Sequence, residues 1–173
     1  LTSFLMSFEG DMHDFYLPNG LKVIIYEKHT YPTVALNVIY DIGSHDDPVG
    51  KKGLAHVMGN LMFEGSQNYK KHEHSSIISS TGGNSSFSHW ELTDILEFSS
   101  ITTVDHFELL LKLESDRLFS LLINSETVTS AINRAISTLK EEMESSFWEV
   151  NKALQSIYPN NHPYFYNRFG NIE

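Results

Sequence analysis

The sequence predicts an α+β fold in which a mainly antiparallel sheet packs against helices. Strand-like and helix-like segments come in blocks, and the first two strand-like segments, within 14–26, flank a Pro18-Asn19-Gly20 turn. Residues 54–62 instead place apolar side chains at three- and four-residue steps, the spacing of a buried helix face. With 173 residues, 40% of them hydrophobic, the chain is long enough to bury one core. We therefore expect a single domain over residues 1–173.

The middle of the chain continues with strands and helices whose ends are marked by glycine. The first helix should end at Gly65 and the second at Gly82-Gly83, because glycine adopts the left-handed conformation that closes a helix. Segments rich in β-branched and aromatic residues are predicted as strands. The predicted strands cover 34–42, 85–91 and 93–101, and the predicted helices cover 51–63 and 70–80.

The last third of the chain is predicted to be helical. Thr102 or Thr103 can cap a helix whose apolar stripe contains one polar member, Glu114. A further long helix begins after residue 124 or 125 and runs toward Tyr158. It should end there, because Pro159 disfavours the helical conformation in the residue before it.

The composition excludes several classes of function. Twelve basic residues against 22 acidic residues give a net charge of -10, which argues against a nucleic-acid or anionic-membrane surface. The absence of cysteine excludes disulfides, thiol nucleophiles and zinc ribbons. No apolar segment approaches the roughly 18 to 20 residues that span a bilayer, and neither a phosphate-binding loop nor a G-x-S-x-G elbow is present.

The helix predicted over 51–63 contains one candidate metal ligand, His56. Two histidines four residues apart share a helix face and can bind one zinc, while a glutamate between them activates the bound water. The segment 53–66, with the sequence GLAHVMGNLMFEGS, resembles the zinc helix of the pitrilysin/insulinase family, whose motif is H-x-x-E-H. Only the first position of that motif is kept here.

The resemblance implies a degenerate zinc site with no catalytic residue. Gly59 stands at the position of the general base and has no side chain to accept a proton. Asn60 stands at the second histidine, and a neutral amide is a poor zinc ligand. The third family ligand is a glutamate on a later helix, for which Glu141 is the first choice and Glu142 the alternative. No cofactor is expected; zinc would be expected only if the site is atypical but active.

The resemblance covers almost the whole chain. Matching segments occur in family order at 42–50, 62–66, 82–83, 113–118 and 158–164. It implies a pitrilysin-type or mitochondrial-processing-peptidase-like domain, of which this chain is expected to be the N-terminal part. Bacterial secreted or periplasmic members look most similar, which favours such a compartment by resemblance alone.

The family's substrate-binding edge strand corresponds to a segment just after Gly83. The segment is one residue shorter than the family pattern, but pairing through the main chain needs no particular side chain. We therefore expect a peptide-binding edge strand formed by Asn84, Ser85, Ser86, Phe87 and Ser88.

His72 and His74 also suggest a metal site. Two residues apart on a helix, they should point to different faces, so an exposed polar helix is the preferred interpretation.

Three functions remain open from the sequence. The leading hypothesis is a non-catalytic domain or subunit that pairs with a homologous zinc peptidase subunit or second half-domain and helps to bind extended peptides, because family members often work as such paired halves. The first alternative is an active zinc metalloendopeptidase with an unusual site built from His56, Asn60 and Glu141. The second is a stand-alone peptide-binding scaffold.

Overall fold

A computed structural model describes residues 10–88 and 94–170. The chain divides into two compact units, one up to Thr33 and one from Val34 onward. The first unit is an antiparallel hairpin in which β1 (Asp11–Tyr16) pairs with β2 (Lys22–Glu27). Gly20 has a φ of 87° in the connecting turn, a conformation that glycine adopts without strain. The predicted hairpin is therefore confirmed.

The second unit contains a three-stranded sheet in the order β3, β5, β4. Its strands are β3 (Thr33–Tyr40), β4 (Asn84–Ser88) and β5 (Leu96–Thr103). β5 lies in the centre, and its alternate residues from Leu96 to Thr102 are buried. β4 pairs antiparallel with β5, with Phe87 opposite Phe98, and lies at an edge of this sheet. The predicted strand ends within 89–93 lie outside the described residues.

Five helices complete the second unit as the structure describes it. They are α1 (Leu54–Leu61), α2 (Glu73–Ser80), α3 (Phe107–Phe119), α4 (Ser125–Glu144) and α5 (Trp148–Gln155). α4 packs against α1 and buries Ala131, Ala135 and Leu139, which recur every four residues and form one stripe. The predicted α+β class with helices packed on an antiparallel sheet is confirmed. Within the described ranges, no helix has both the length and the apolar character needed to cross a membrane.

The prediction of one helix from residue 124 or 125 to Tyr158 is wrong. Asn124 caps the N-terminus as expected, since its side chain accepts hydrogen bonds from the Glu126 and Thr127 amides. The helix then stops at Ser145, which has extended backbone with ψ of 143°. The Ser145 hydroxyl accepts a hydrogen bond from the Phe147 amide at 3.1 Å, so a local serine turn replaces the helical pattern and α5 starts afresh.

The prediction that Thr102 or Thr103 caps α3 is also wrong. α3 begins at Phe107, after a short 3-10 turn, Val104–His106, that follows Thr103. The Thr103 hydroxyl lies 2.8 Å from Nδ1 of His106, whereas Thr102 is buried in β5 and its hydroxyl bonds that of Thr81. Neither threonine caps α3 directly because the 3-10 turn separates them from its first residue.

Candidate functional site

The N-terminus of α1 is held by a buried carboxylate. Asp47 accepts hydrogen bonds from the backbone amides of Gly53 at 2.7 Å and Ala55 at 2.8 Å. These amides belong to the first turn of the helix, where donors have no partner within the helix and the macrodipole favours a negative charge. Lys52 Nζ donates to the Asp47 carbonyl at 2.9 Å. These bonds fix the start of α1 and so the direction of the side chains that follow it.

Two glycines allow a later segment to approach this same turn. Gly53 and Gly170 have φ of 95° and 80°, and a Cβ on Gly53 would lie 2.5 Å from the carbonyl oxygen of Phe169. The backbones of the two segments therefore touch where a side chain would separate them. As a result, the Phe169 ring meets the His56 ring edge to face, with centroids 4.9 Å apart.

His56 and Asn60 form a buried pair on α1. Their exposed fractions are 5% and 6%. Asn60 Nδ2 donates to the His56 carbonyl at 2.9 Å and lies 3.2 Å from His56 Nε2. Because an amide nitrogen donates hydrogen bonds and does not accept them, Nε2 is the acceptor in this contact. The lone pair with which His56 could bind a metal is directed at the amide of Asn60.

Gly59 lies beneath an aromatic ring. A Cβ built on Gly59 would come within 2.0 Å of Cζ of Phe87. The Phe87 ring is held in place by stacking on Phe98, with centroids 4.9 Å apart, and it also lies near Phe63. The position of the family's general base therefore lacks a functional group, and the space next to it is filled.

The two candidate glutamates on α4 lie on different sides of the helix. Glu141 is exposed and accepts a hydrogen bond from Ser137 at 3.3 Å. Glu142 follows Leu139 by three residues, on the side of α4 that packs against α1, and lines a cavity together with Phe169. Of the two, Glu142 is therefore the one on the side of α4 that faces α1. In the two described ranges, no three His, Asp or Glu side chains are grouped as a metal would require.

The segment predicted to bind peptide lies at a sheet edge. Asn84 and Ser86 are exposed, whereas Ser85 and Phe87 alternate with them and are partly buried. Asn84 pairs with Ile101 and Ser88 with Glu97 of β5. The sheet order thus leaves one side of β4 without a described neighbouring strand. Peptide binding along this side stays a prediction.

A buried ionic cluster joins α2 to α3, and the sequence signalled only part of it. Arg117 Nη2 lies 2.8 Å from Nδ1 of His74, and Glu114 Oε1 lies 3.2 Å from Nε2 of the same ring. The expectation of an exposed polar α2 is wrong for His74, which is buried because it faces this cluster. The signal for Glu114 was its place in an apolar stripe. The spacing of His72 and His74 drew attention to His74 but did not predict its burial.

Burial shifts the pKa of two groups in and beside this cluster. Burial lowers the pKa of Arg117, although the charge of Glu114 opposes that effect. Burial and the charge of Glu114 raise the pKa of Tyr40. The Arg117 guanidinium lies 4.9 Å and 5.0 Å from the ring centroids of Phe63 and Phe98. The cluster therefore borders the aromatic group that contains Phe87.

The sequence comparisons decide the family. The family description "Insulinase (Peptidase family M16)" matches residues 22–165. The chain belongs to peptidase family M16. The predicted pitrilysin/insulinase resemblance is thus confirmed.

Two curated relatives match over most of this chain and a third over part of it, and each match covers a small part of the relative's own length. The A-factor-processing enzyme of Saccharomyces cerevisiae is 29% identical over 160 residues, which is 91% of this chain and 15% of that protein. Insulin-degrading enzyme of Drosophila melanogaster is 26% identical over 166 residues, or 92% of this chain and 16% of that protein. A zinc protease of Helicobacter pylori is 32% identical over 68 residues, 39% of this chain and 15% of that protein.

Solved structures show the same fold. A protease from Helicobacter pylori superposes with a TM-score of 0.86 at 22% identity, covering 94% of this chain and 39% of that one. Pitrilysin superposes with a TM-score of 0.84 at 17% identity, covering 95% of this chain and 18% of that one. The M16 chain described here therefore has a pitrilysin-like fold and spans less than half of either structure.

Proposed function

We propose that this M16 chain is a non-catalytic domain that pairs with a homologous zinc-bearing subunit or second half-domain and contributes to peptide binding. The observation that carries the proposal is the Phe87 ring lying over Gly59, where a Cβ would be only 2.0 Å away. A general base must reach the proton it removes through a side chain. Here that position offers neither the side chain nor the room for one.

The donor chemistry around His56 supports the same proposal. A catalytic zinc needs three protein ligands and an open position for water. Asn60 directs a donor rather than a lone pair at Nε2 of His56, and Glu141 is exposed on the far side of α4. Glu142 faces α1, but within the described ranges it joins no group of three His, Asp or Glu side chains. The side chains present do not fit a zinc centre, and we derive no metal-dependent step.

The contribution to peptide binding rests on the edge strand β4. An exposed strand edge presents backbone donors and acceptors that an extended peptide can pair with, whatever its own side chains. Asn84 and Ser86 are exposed on this strand, so an added chain would meet small polar side chains. Binding of this kind would survive the loss of the catalytic residues.

Exposed apolar side chains support the pairing part of the proposal. Several large hydrophobic residues are more than half exposed, and a bound partner chain could cover them. They include Phe119, Ile123, Phe147 and Ile157. The chain also spans only 15% to 16% of the curated relatives that match over most of it.

The first experiment measures metal content and peptidase activity on one sample. The chain is purified without a metal-affinity tag, analysed for zinc, and incubated with fluorogenic peptides. We expect no stoichiometric zinc and no cleavage. Stoichiometric zinc, with cleavage that a chelator and His56→Ala both abolish, would instead establish an active metallopeptidase.

A second experiment tests the pairing. The chain is used to isolate M16 homologues with an intact H-x-x-E-H motif from its source cells, and peptide binding is measured with and without the isolated partner. We expect a stable complex and tighter peptide binding within it. A chain that remains monomeric and binds extended peptides equally well alone is a stand-alone scaffold.

A further inference from the structure

A cavity of about 250 Å³ lies between the end of α4, α5 and the segment that follows α5. Five aromatic side chains form much of its wall. They are Trp148, Tyr158, Tyr164, Tyr166 and Phe169. The volume suits a group a few atoms across rather than a drug-sized molecule.

Two carboxylates share this wall with the aromatic rings. Asp94 accepts a hydrogen bond from the Tyr164 hydroxyl, and His45 Nδ1 lies 3.1 Å from it. The hydrogen bond to Asp94, burial and the charge of Asp94 raise the pKa of Tyr164, as does nearby Tyr158, so the phenol stays neutral beside an anion. Glu142 is the second carboxylate. Negative charge therefore accompanies the aromatic surface.

Cationic side chains of this chain already lie over two of the rings. Lys52 Nζ lies 5.1 Å from the ring centroid of Tyr166, and the Arg168 guanidinium lies 4.4 Å from that of Phe169. Both distances are within the range of cation–π attraction. For Trp148, by contrast, the structure describes no such cation. Arg168 brings one positive charge to the wall and Lys52 places a second over the Tyr166 ring, while His45 lies against Asp94. Glu142 is the lining carboxylate for which the structure describes no ion pair.

We propose that this cavity binds a compact organic cation, a quaternary or alkylated ammonium group, against Trp148 and the neighbouring tyrosines, with Glu142 as the counter-charge. Aromatic faces attract such a group through their negative quadrupole, and its weak hydration makes entry into a partly apolar cavity favourable. A primary amine would retain more of its water. The proposal does not depend on the state of the His56 site.

The test compares a cation with its neutral isostere on the 173-residue chain. Choline and the alcohol in which a tert-butyl group replaces the trimethylammonium group are each titrated and followed by calorimetry. Because the two probes differ in charge and hardly in shape, we expect choline to bind at least about tenfold more tightly. Equal affinity for both probes, or no binding of either, overturns the proposal.

Variants locate the binding. Trp148→Leu keeps an apolar side chain but removes the ring, and Glu142→Gln keeps the shape but removes the charge; each should weaken choline binding several-fold. The matched control is Glu144→Gln, which removes an exposed charge from the same helix and should leave choline binding unchanged. An equal loss in Glu144→Gln would indicate attraction to the acidic chain as a whole and would overturn the proposal. Glu142→Gln keeps the test valid if Trp148→Leu does not fold.

A third probe distinguishes two sources of the same chemistry. An acetylated trimethyllysine amide carries the ammonium group of choline on a peptide-like stem. Tighter binding of this probe than of choline assigns the site to a methylated peptide side chain, whereas tighter binding of choline assigns it to a free small molecule. The proposal is overturned if neither binds more tightly than the neutral isostere.

Discussion

The Phe87 ring lies so close to Gly59 that a Cβ at position 59 would be 2.0 Å from Cζ of Phe87. Gly59 is buried within α1, where glycine is ordinarily unfavourable by about 1 kcal/mol relative to alanine. Phe87 in turn stacks on Phe98 of the central strand β5. The Phe87 ring therefore occupies the space that a side chain at position 59 would need, and glycine is the residue that fits beneath it.

The first prediction is that Gly59→Ala lowers the free energy of unfolding when residue 87 is phenylalanine and raises it when residue 87 is alanine. In the natural chain the added methyl group meets the ring, and overpacking of this kind destabilises by ~1–3 kcal/mol. In a Phe87→Ala background the clash is absent, so the same change should stabilise the fold by up to about 1 kcal/mol through helix propensity. Urea unfolding of the four proteins gives the coupling directly.

Additive effects of the two changes would contradict the contact between positions 59 and 87. The exposed position Lys140 on α4 provides a control, since Lys140→Ala combined with Phe87→Ala should be additive within about 0.5 kcal/mol. The test is independent of metal binding.

The β-hairpin, the sheet strands and the order of the helices could be predicted because each is encoded in adjacent residues. The turn at Gly20 and the cap at Asn124 are local signals, and both lie where they were expected. The break at Ser145 was missed, because a hydroxyl-bonded turn between two amphipathic segments leaves the helical periodicity almost intact. Periodicity predicts which face is buried but does not show where a helix is interrupted.

The sequence could predict which residues stand at the positions of the zinc motif, but not which other residues they contact. The loss of the motif residues at Gly59 and Asn60 is visible in the sequence, whereas the ring over Gly59 comes from Phe87 in another element. The choice between Glu141 and Glu142 depends on which side of α4 packs against α1. Such relations depend on tertiary packing, and no local pattern specifies them.

The second prediction is that Asn60→His raises the affinity of the chain for zinc. It restores two imidazoles four residues apart on one helix face and removes the amide that now occupies Nε2 of His56. A full structural zinc site is worth ~10–16 kcal/mol, so one added ligand should contribute about 3 kcal/mol, roughly a hundredfold. Competition with a chromophoric chelator measures the gain.

His56 must be required for this gain. In a His56→Ala background, Asn60→His should add little, and Asn60→Gln should add little in the natural chain. A gain that persists without His56 would show that zinc binds elsewhere. Peptide cleavage should stay absent in Asn60→His, because Gly59 still supplies no base.

The third prediction concerns the buried ion cluster of α2 and α3. Arg117 is only 4% exposed and lies 3.5 Å from Glu114, which is also buried. Arg117→Met should therefore destabilise the fold by ~3–5 kcal/mol, because the buried Glu114 carboxylate keeps His74 beside it but loses its permanent positive charge. Adding Glu114→Gln should recover much of that loss. Thermal unfolding measures both changes.

An exposed position on the same helix provides the comparison. Lys112→Met, at an exposed site of α3, should change the free energy of unfolding by no more than about 0.5 kcal/mol. If Arg117→Met changed the free energy of unfolding as little as Lys112→Met, Arg117 would not be the counter-charge that stabilises the buried Glu114 carboxylate.

The fourth prediction is a pH dependence that originates at Glu64, whose side chain is 2% exposed and lies 2.7 Å from Lys71 Nζ. Burial alone would raise the pKa of Glu64, but hydrogen bonds from Lys71 and Ser130 and the charges of Lys71 and Arg134 outweigh it, so the pKa is lowered. The unfolded chain then takes up this proton at a higher pH than the folded chain. The carboxylate therefore stabilises the fold above its unfolded pKa of about 4.3, and that contribution disappears as pH falls through the folded pKa.

Glu64→Gln should remove this contribution. At pH 7 we expect a loss of ~1.5 kcal/mol, the lower end of the ~1.5–3 kcal/mol typical of hydrogen bonds to charged groups, because Lys71 is 40% exposed and partly screened. As pH falls through the folded pKa of Glu64, the natural chain and the variant should converge, so the free energy of unfolding depends less on pH in the variant. Urea unfolding at a series of pH values measures the difference. The exposed Glu144→Gln should leave the natural pH dependence intact, and parallel curves for the natural chain and Glu64→Gln would show that the Lys71 contact does not lower the pKa of Glu64.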